Sequence, residues 1–196
     1  MKKVRIRRNA SLIVFLVDLS WSMAVTRRMN AAKKAITTIL TKAYQFRDDV
    51  CLITFQKETA EVVIQPTHSV TLAERAMKTI KIGGKTPLAA GLTRAYDLMK
   101  RESPRYGADN IYLILLSDCD GNIALADGDP TEDAMKAADK IAAGGFRSII
   151  INSDQMTFGQ GSANRLAKRM NAACYLIADL NSDHLIRTVR EDLIKR

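Results

Sequence analysis

Apolar residues along this chain fall into short unbroken runs separated by longer stretches with helical spacing. Leu12 to Val17, Val50 to Phe55, Ile111 to Leu116, Arg147 to Asn152 and Ala173 to Ala178 read as strands, the first three as fully buried ones. Ala60 to Ile64 alternates as a short edge strand, and the link Gln56 to Thr59 predicts that it pairs antiparallel with the strand before it. Helices are expected over Met29–Phe46, Thr71–Ile80, Leu88–Arg101, Ser162–Met170 and Asn181–Ile194. One more starts at Asp129-Pro130-Thr131-Glu132, a cap, a proline at the first position and an acid three residues on, and Gly144-Gly145 stops it near Ala143. Thr86 before Pro87 reads as the cap of the helix from Leu88, with Pro87 as its first residue. Strands alternating with helices specify an α/β fold, a doubly wound, mostly parallel six-stranded sheet with helices on both faces, Rossmann-like in plan.

Composition changes this picture little. The 196 residues fit a single domain over 11–196 behind a basic N-terminal tail over 1–10. Five of the positive charges behind the net +9 (Lys2, Lys3, Arg5, Arg7 and Arg8) lie in that tail, leaving the body mildly basic. Such a tail reads as a solvated terminus or linker stump, which makes nucleic acid an unlikely partner. The longest apolar run, Leu12 to Val17, is too short to span a bilayer, so no membrane is expected. Three isolated cysteines, Cys51, Cys119 and Cys174, point to a reducing, cytoplasmic setting. Without a Cys-x-x-Cys spacing, and with only His68 and His184, zinc is not indicated.

The candidate chemistry sits where strands end. The run Leu12–Val17 stops in Asp18-Leu19-Ser20-Trp21-Ser22, three oxygens on one loop at the edge where open α/β sheets bind ligands. Thr86 enters a helix on the same rim, and Asp118 follows the strand Ile111–Leu116. Taken singly, each residue suits an ordinary turn or helix cap. Together they repeat one hard-oxygen chemistry on three loops, which suits Mg²⁺, Mn²⁺ or Ca²⁺. Asp18 reads as a rim group whose removal leaves the fold nearly intact. Catalytic readings find less support. Gly84-Lys85-Thr86 lacks the earlier P-loop glycine, since Thr79 stands there, and Gly159-Gln160-Gly161 lacks the third glycine of a dinucleotide fingerprint. A phosphotransferase built on Asp18 would want a carboxylate where Ser20 stands, and neither histidine belongs to a credible Ser-His-Asp set.

Asp18-Leu19-Ser20-Trp21-Ser22, with Thr86 and Asp118 downstream, resembles the metal-ion-dependent adhesion site (MIDAS) of von Willebrand factor A domains, whose fold is of the kind just derived. Within that family, Phe15-Leu16-Val17-Asp18, Arg28-Met29, Val50 to Phe55 and above all Gly83-Gly84-Lys85-Thr86-Pro87-Leu88-Ala89-Ala90-Gly91-Leu92 look like the C-terminal domain of the magnesium chelatase D subunit. The resemblance implies that Ser20, Ser22 and Thr86 coordinate Mg²⁺ (or Mn²⁺) through hydroxyls, while Asp18 and Asp118 hold its waters. It also implies an open position for an acidic side chain of a protein partner, an AAA-type ATPase or chelatase subunit. Two positions depart from the family pattern. Trp21 stands where a glycine is usual, and the family's Asp-Gly appears as Asp118-Cys119-Asp120-Gly121, so Asp120 is the alternative to Asp118. The expected protein is a non-catalytic, cytoplasmic, metal-dependent interaction domain, part or relative of the chelatase D subunit. The alternatives are a stand-alone helper of another AAA-type ATPase, or a nucleic-acid-binding relative.

Overall fold

In a computed structural model, residues 10–20, 37, 48–69, 71–72, 75–76, 83–153 and 160–177 are described. Six strands form one sheet: β1 (Leu12–Asp18), β2 (Asp49–Gln56), β3 (Thr59–Thr67), β4 (Ile111–Ser117), β5 (Arg147–Asn152) and β6 (Ala173–Leu176). Their spatial order is β3-β2-β1-β4-β5-β6. All neighbours run parallel except β2 and β3, which pair antiparallel across the two-residue turn Lys57-Glu58. The chain therefore builds outward from β1 on one side and returns to add β4 on the other. The carboxyl ends of β1 and β4 flank the point where strand order reverses, which is where this architecture opens a crevice.

The uninterrupted apolar runs are explained by burial on both faces. Leu12, Val14 and Leu16 of β1 belong to the core on one face, while the alternate Ile13, Phe15 and Val17 are at most 8% exposed on the other. The first face is covered by helices α1 (Leu88–Tyr106), α2 (Pro130–Ala143) and α3 (Gln160–Met170). Helix α1 packs on β1, β2, β3 and β4 and against α2, and α2 meets α3. Gly91 lets α1 come close to the sheet: a Cβ there would lie 2.8 Å from the Phe55 ring.

Several boundaries differ from expectation for identifiable reasons. Helix α1 runs past Arg101, through Pro104, to Tyr106. Pro104 cannot donate to the Lys100 carbonyl, and the Ser103 hydroxyl donates to it instead at 2.9 Å, so the last turn holds. Strand β3 extends to Thr67, and β6 stops at Leu176, where its β5 partner ends at Asn152. Helix α2 begins as the sequence indicates: the Thr131 amide donates to Asp129 Oδ1 at 2.7 Å, with Pro130 at the first position. The expected helices Met29–Phe46 (Thr37 apart) and Asn181–Ile194, His184 and residues 1–9 of the basic tail lie outside the described residues. Of Thr71–Ile80 four residues are described, all helical.

At the amino-terminal end of the sheet, Asp49 is 2% exposed and fully engaged. The Tyr106 hydroxyl donates to its Oδ2, His68 Nδ1 lies 2.8 Å from its Oδ1 and the Arg105 guanidinium 3.4 Å from its Oδ2. This knot ties the start of β2, the end of β3 and the end of α1 together.

Candidate metal centre

The loops at the opposite, carboxyl-terminal end are stitched to one another by backbone bonds. The Leu19 amide donates to Phe55 O at 3.0 Å, the Gly83 amide to Leu19 O at 2.8 Å, and the Lys57 amide to Lys85 O at 2.9 Å. Gly84, at φ +105°, lies so close to Lys57 that a Cβ would meet its Cγ at 2.8 Å, and the left-handed backbone favours glycine in any case.

Asp18 is wholly buried, 0% exposed. Its Oδ1 accepts the Ser20 amide at 2.9 Å, and its Oδ2 accepts the Ser117 hydroxyl at 2.7 Å. Burial lifts the Asp18 carboxyl from 3.8 to about 6, against the lowering effect of bonds from Ser117 and Ser20, and the Asp118 charge pushes it further up. Among the described residues no Lys, Arg or His acts on it. The sequence reading of Asp18 as a rim group is thereby corrected: the side chain is buried and joins the end of β1 to the end of β4 through Ser117. Ser20 beside it is 2% exposed.

Thr86 is 4% exposed, and the structure does not make it a side-chain cap. Helix α1 starts at Leu88. Pro87, at φ −79° and ψ 65°, forms an inverse γ-turn closed by the Leu88 amide on Thr86 O at 2.9 Å. The reason lies across the rim. Asn122 Oδ1 accepts the Thr86 amide at 2.8 Å, and the Asn122 amide donates back to Thr86 O at 3.1 Å. Thr86 is thus fixed by its backbone, and its hydroxyl makes no hydrogen bond among the described residues.

Asp118 accepts the Asp120 amide at 3.1 Å, and buried Cys119 between them sits at φ +62°. That left-handed backbone is what a glycine supplies at no strain, so Asp118-Cys119 occupies the conformational place of an Asp-Gly pair. Asp118 is also the acid that acts on Asp18, whereas Asp120 does not. The β1 loop, Thr86 and Asp118 thus share one rim, while Ser22 and Trp21 lie outside the described residues.

Two positioning residues escaped the sequence reading. Ser117 Oγ donates to Asp18 while accepting the Cys119 amide at 2.9 Å, so one hydroxyl joins two of the loops. Its only sequence signal is a polar residue ending an apolar run. Asn122 has no such signal, because its partner Thr86 lies 36 residues away.

The donor set decides what the rim can hold. Among the described residues no three His, Cys, Asp or Glu side chains converge on a metal position. What converges is hydroxyl oxygen with carboxylates behind it, a hard set that fits a small divalent cation retaining water. The Thr86 hydroxyl, unbonded among the described residues, and the Asp18 carboxylate, without a basic partner among them, both fit such an ion. Burial pushes the Cys51 thiol up to about 12 and Cys119 well above its ordinary value, so neither is poised as a thiolate nucleophile.

Comparison with known proteins agrees with the fold. Residues 13–121 match the von Willebrand factor type A domain model. An uncharacterised protein of Mycobacterium tuberculosis is 34% identical over 189 residues, 96% of this chain and 30% of the relative. One of Methanocaldococcus jannaschii is 34% identical over 165 residues, 84% of this chain and 94% of the relative. The magnesium-chelatase 60 kDa subunit of Rhodobacter capsulatus is 38% identical over 156 residues, 77% of this chain. The chain spans only 27% of that subunit's length. Among solved structures, the vWF domain of the type V pili tip protein Mfa5 from Porphyromonas gingivalis superposes with a TM-score of 0.74. It is 12% identical, and the match covers 94% of this chain and 96% of that one.

Proposed function

As the chain belongs to the von Willebrand factor type A domain family, we propose that it is a divalent-cation-dependent protein-interaction domain. Ser20, Ser22 and Thr86 would hold Mg²⁺ or Mn²⁺ through their hydroxyls, with Asp18 and Asp118 holding its waters. The ion, when bound, supplies a positive charge that recognises an acidic side chain. The chain's own residues do the rest: Ser117 and Asn122 fix the loops, and the bonds from Ser117 and the Ser20 amide orient the carboxylate of Asp18.

The observation that carries this reading is Asp18. It is a buried carboxylate at the sheet's switch point that, among the described residues, meets only hydroxyl and amide donors and no basic side chain. A buried charge without a counter-charge is costly, and a cation on the rim offsets that cost. Similarity to magnesium-chelatase subunits favours a partner in an ATP-driven metal chelatase or a related AAA-type machine. In that role the domain assembles and does not catalyse, working in the cytoplasm. No described helix is long and apolar enough to cross a membrane.

The test is calorimetric titration of the chain with Mn²⁺, beside anomalous diffraction from Mn²⁺-soaked crystals. Density within about 2.0 to 2.3 Å of the Thr86 and Ser20 hydroxyls is expected, the range for small hard cations. Absence of binding at millimolar metal, or density only elsewhere, would refute the reading.

A further inference from the structure

Beside the rim lies a cavity of about 310 Å³. Buried Leu88, Ala134 and Leu166 and half-buried Met135 give it apolar depth, and exposed Asn122 and Arg165 stand toward solvent. Asp120 is the one acid among its lining residues. The wall is shared with the metal centre. Asn122 is the residue that grips Thr86, and Leu88 follows Thr86 by two positions, so they are at most about 7 Å apart along the chain. Gly121 permits the close fit, because a Cβ there would sit 2.9 Å from Leu88 Cβ. The Arg165 guanidinium reaches only the Gly161 carbonyl and the Ser162 hydroxyl, and has no carboxylate partner among the described residues.

We propose that this cavity receives an aliphatic side chain two residues along from the acidic one that reaches the rim, on a single extended segment of a partner protein. A second acid of that segment meets Arg165. The inference rests on the reading of the rim as a cation site. In an extended strand, residues two apart face the same side about 6.6 to 7 Å from each other, so one segment can present an acid to the rim and an aliphatic side chain to the cavity that shares its Asn122 and Leu88 wall. An apolar anchor in a pocket beside a charged contact is the usual way an interface gains specificity that charge alone does not give.

Amide chemical shifts of the 196-residue chain, titrated in Mg²⁺ with the acetylated, amidated peptide Gly-Glu-Gly-Leu-Gly-Glu-Gly, in which both acids and the leucine face one side of an extended strand, test this directly. Replacing the peptide's leucine by serine should weaken binding about tenfold, as expected for losing one buried aliphatic side chain. The shifts should include Leu88, Ala134 and Leu166. Ala134→Phe, which fills the cavity, should remove the preference for leucine. Arg165→Glu, a surface change that does not threaten the fold, should weaken the parent peptide more than one ending in Gln-Gly. Equal affinity for the leucine and serine peptides overturns the proposal, as does failure of every peptide to bind. If the leucine preference survives EDTA, the cavity stands and the cation reading falls. If Mg²⁺ dependence persists without the leucine preference, the cavity alone falls.

Discussion

Replacing Asp18 by asparagine isolates the electrostatics of the rim from its shape. The carboxyl rises from 3.8 to about 6 on folding, chiefly through burial. The folded state therefore binds this proton more tightly than the unfolded chain. The stability it contributes is complete below about pH 4 and is lost as pH rises through about 6. A shift of roughly two units corresponds to about 3 kcal/mol that the metal-free protein forgoes at pH 8. In Asp18→Asn the amide oxygen still accepts from Ser20, and the amide nitrogen faces the Ser117 hydroxyl, which can accept. The variant should be more stable than the parent in EDTA at pH 8 by up to about 3 kcal/mol, or roughly 6 to 12 °C for a domain of this size. The gap should narrow to about half as pH falls to 5, and millimolar Mg²⁺ should raise the melting temperature of the parent but not of the variant. Thermal melts from pH 5 to 8, with EDTA or Mg²⁺, provide all of these comparisons. A variant less stable than the parent at pH 8 in EDTA, or a difference that ignores pH, would refute the reasoning.

Other outcomes follow from single contacts. Thr86→Val removes a hydroxyl that bonds to nothing described, so melting in EDTA should change by less than about 0.5 kcal/mol, while Mn²⁺ affinity by calorimetry drops at least tenfold, about 1.4 kcal/mol. Gly91→Ala drives a methyl to 2.8 Å from the Phe55 ring and should cost about 1 to 3 kcal/mol in urea denaturation, with cation affinity little changed. Asn122→Ala leaves the Thr86 amide without its acceptor; a loss of about 1 to 3 kcal/mol is expected together with weaker Mn²⁺ binding. Purified protein should show no Mg²⁺-stimulated ATP hydrolysis, and turnover abolished by Lys85→Ala would contradict the non-catalytic assignment.

Much of the architecture was legible because it depends on pattern. Leu12 to Val17 and Ile111 to Leu116 are unbroken apolar runs because both faces of the sheet are covered, and Asp129-Pro130 opens α2 through purely local chemistry. Errors arose where distant contacts overrule local preference. Pro87 has the form of a first helical residue, yet Asn122 holds Thr86 in a bend that moves the helix start to Leu88. Pro104 has the form of a stop, yet Ser103 repairs the turn. Asp18 was found from its place at the end of a strand, but its burial depends on Ser117, which lies 99 residues away and becomes a neighbour only through the β1–β4 register. The candidate site residues could be picked out by residue type; the residues that position them could not.

The two buried aspartates make opposite ends of the sheet behave differently. Asp49, enclosed by a phenol, an imidazole and a guanidinium, is a finished joint. Asp18, which meets only hydroxyl and amide donors among the described residues, lies beneath the socket proposed for a cation. A guest arriving at the socket has nothing to tighten at the joint, so its effect on backbone hydrogen exchange should be one-sided. Protection should rise at the Leu19, Lys57, Gly83, Thr86 and Cys119 amides, whose bonds stitch the rim loops. It should stay level at Gly107 and Asn110, beside the joint. With a cation bound, the same fold would serve as frame at one end and sensor at the other, and a partner gripping the rim would meet a surface whose stiffness depends on whether the socket is filled.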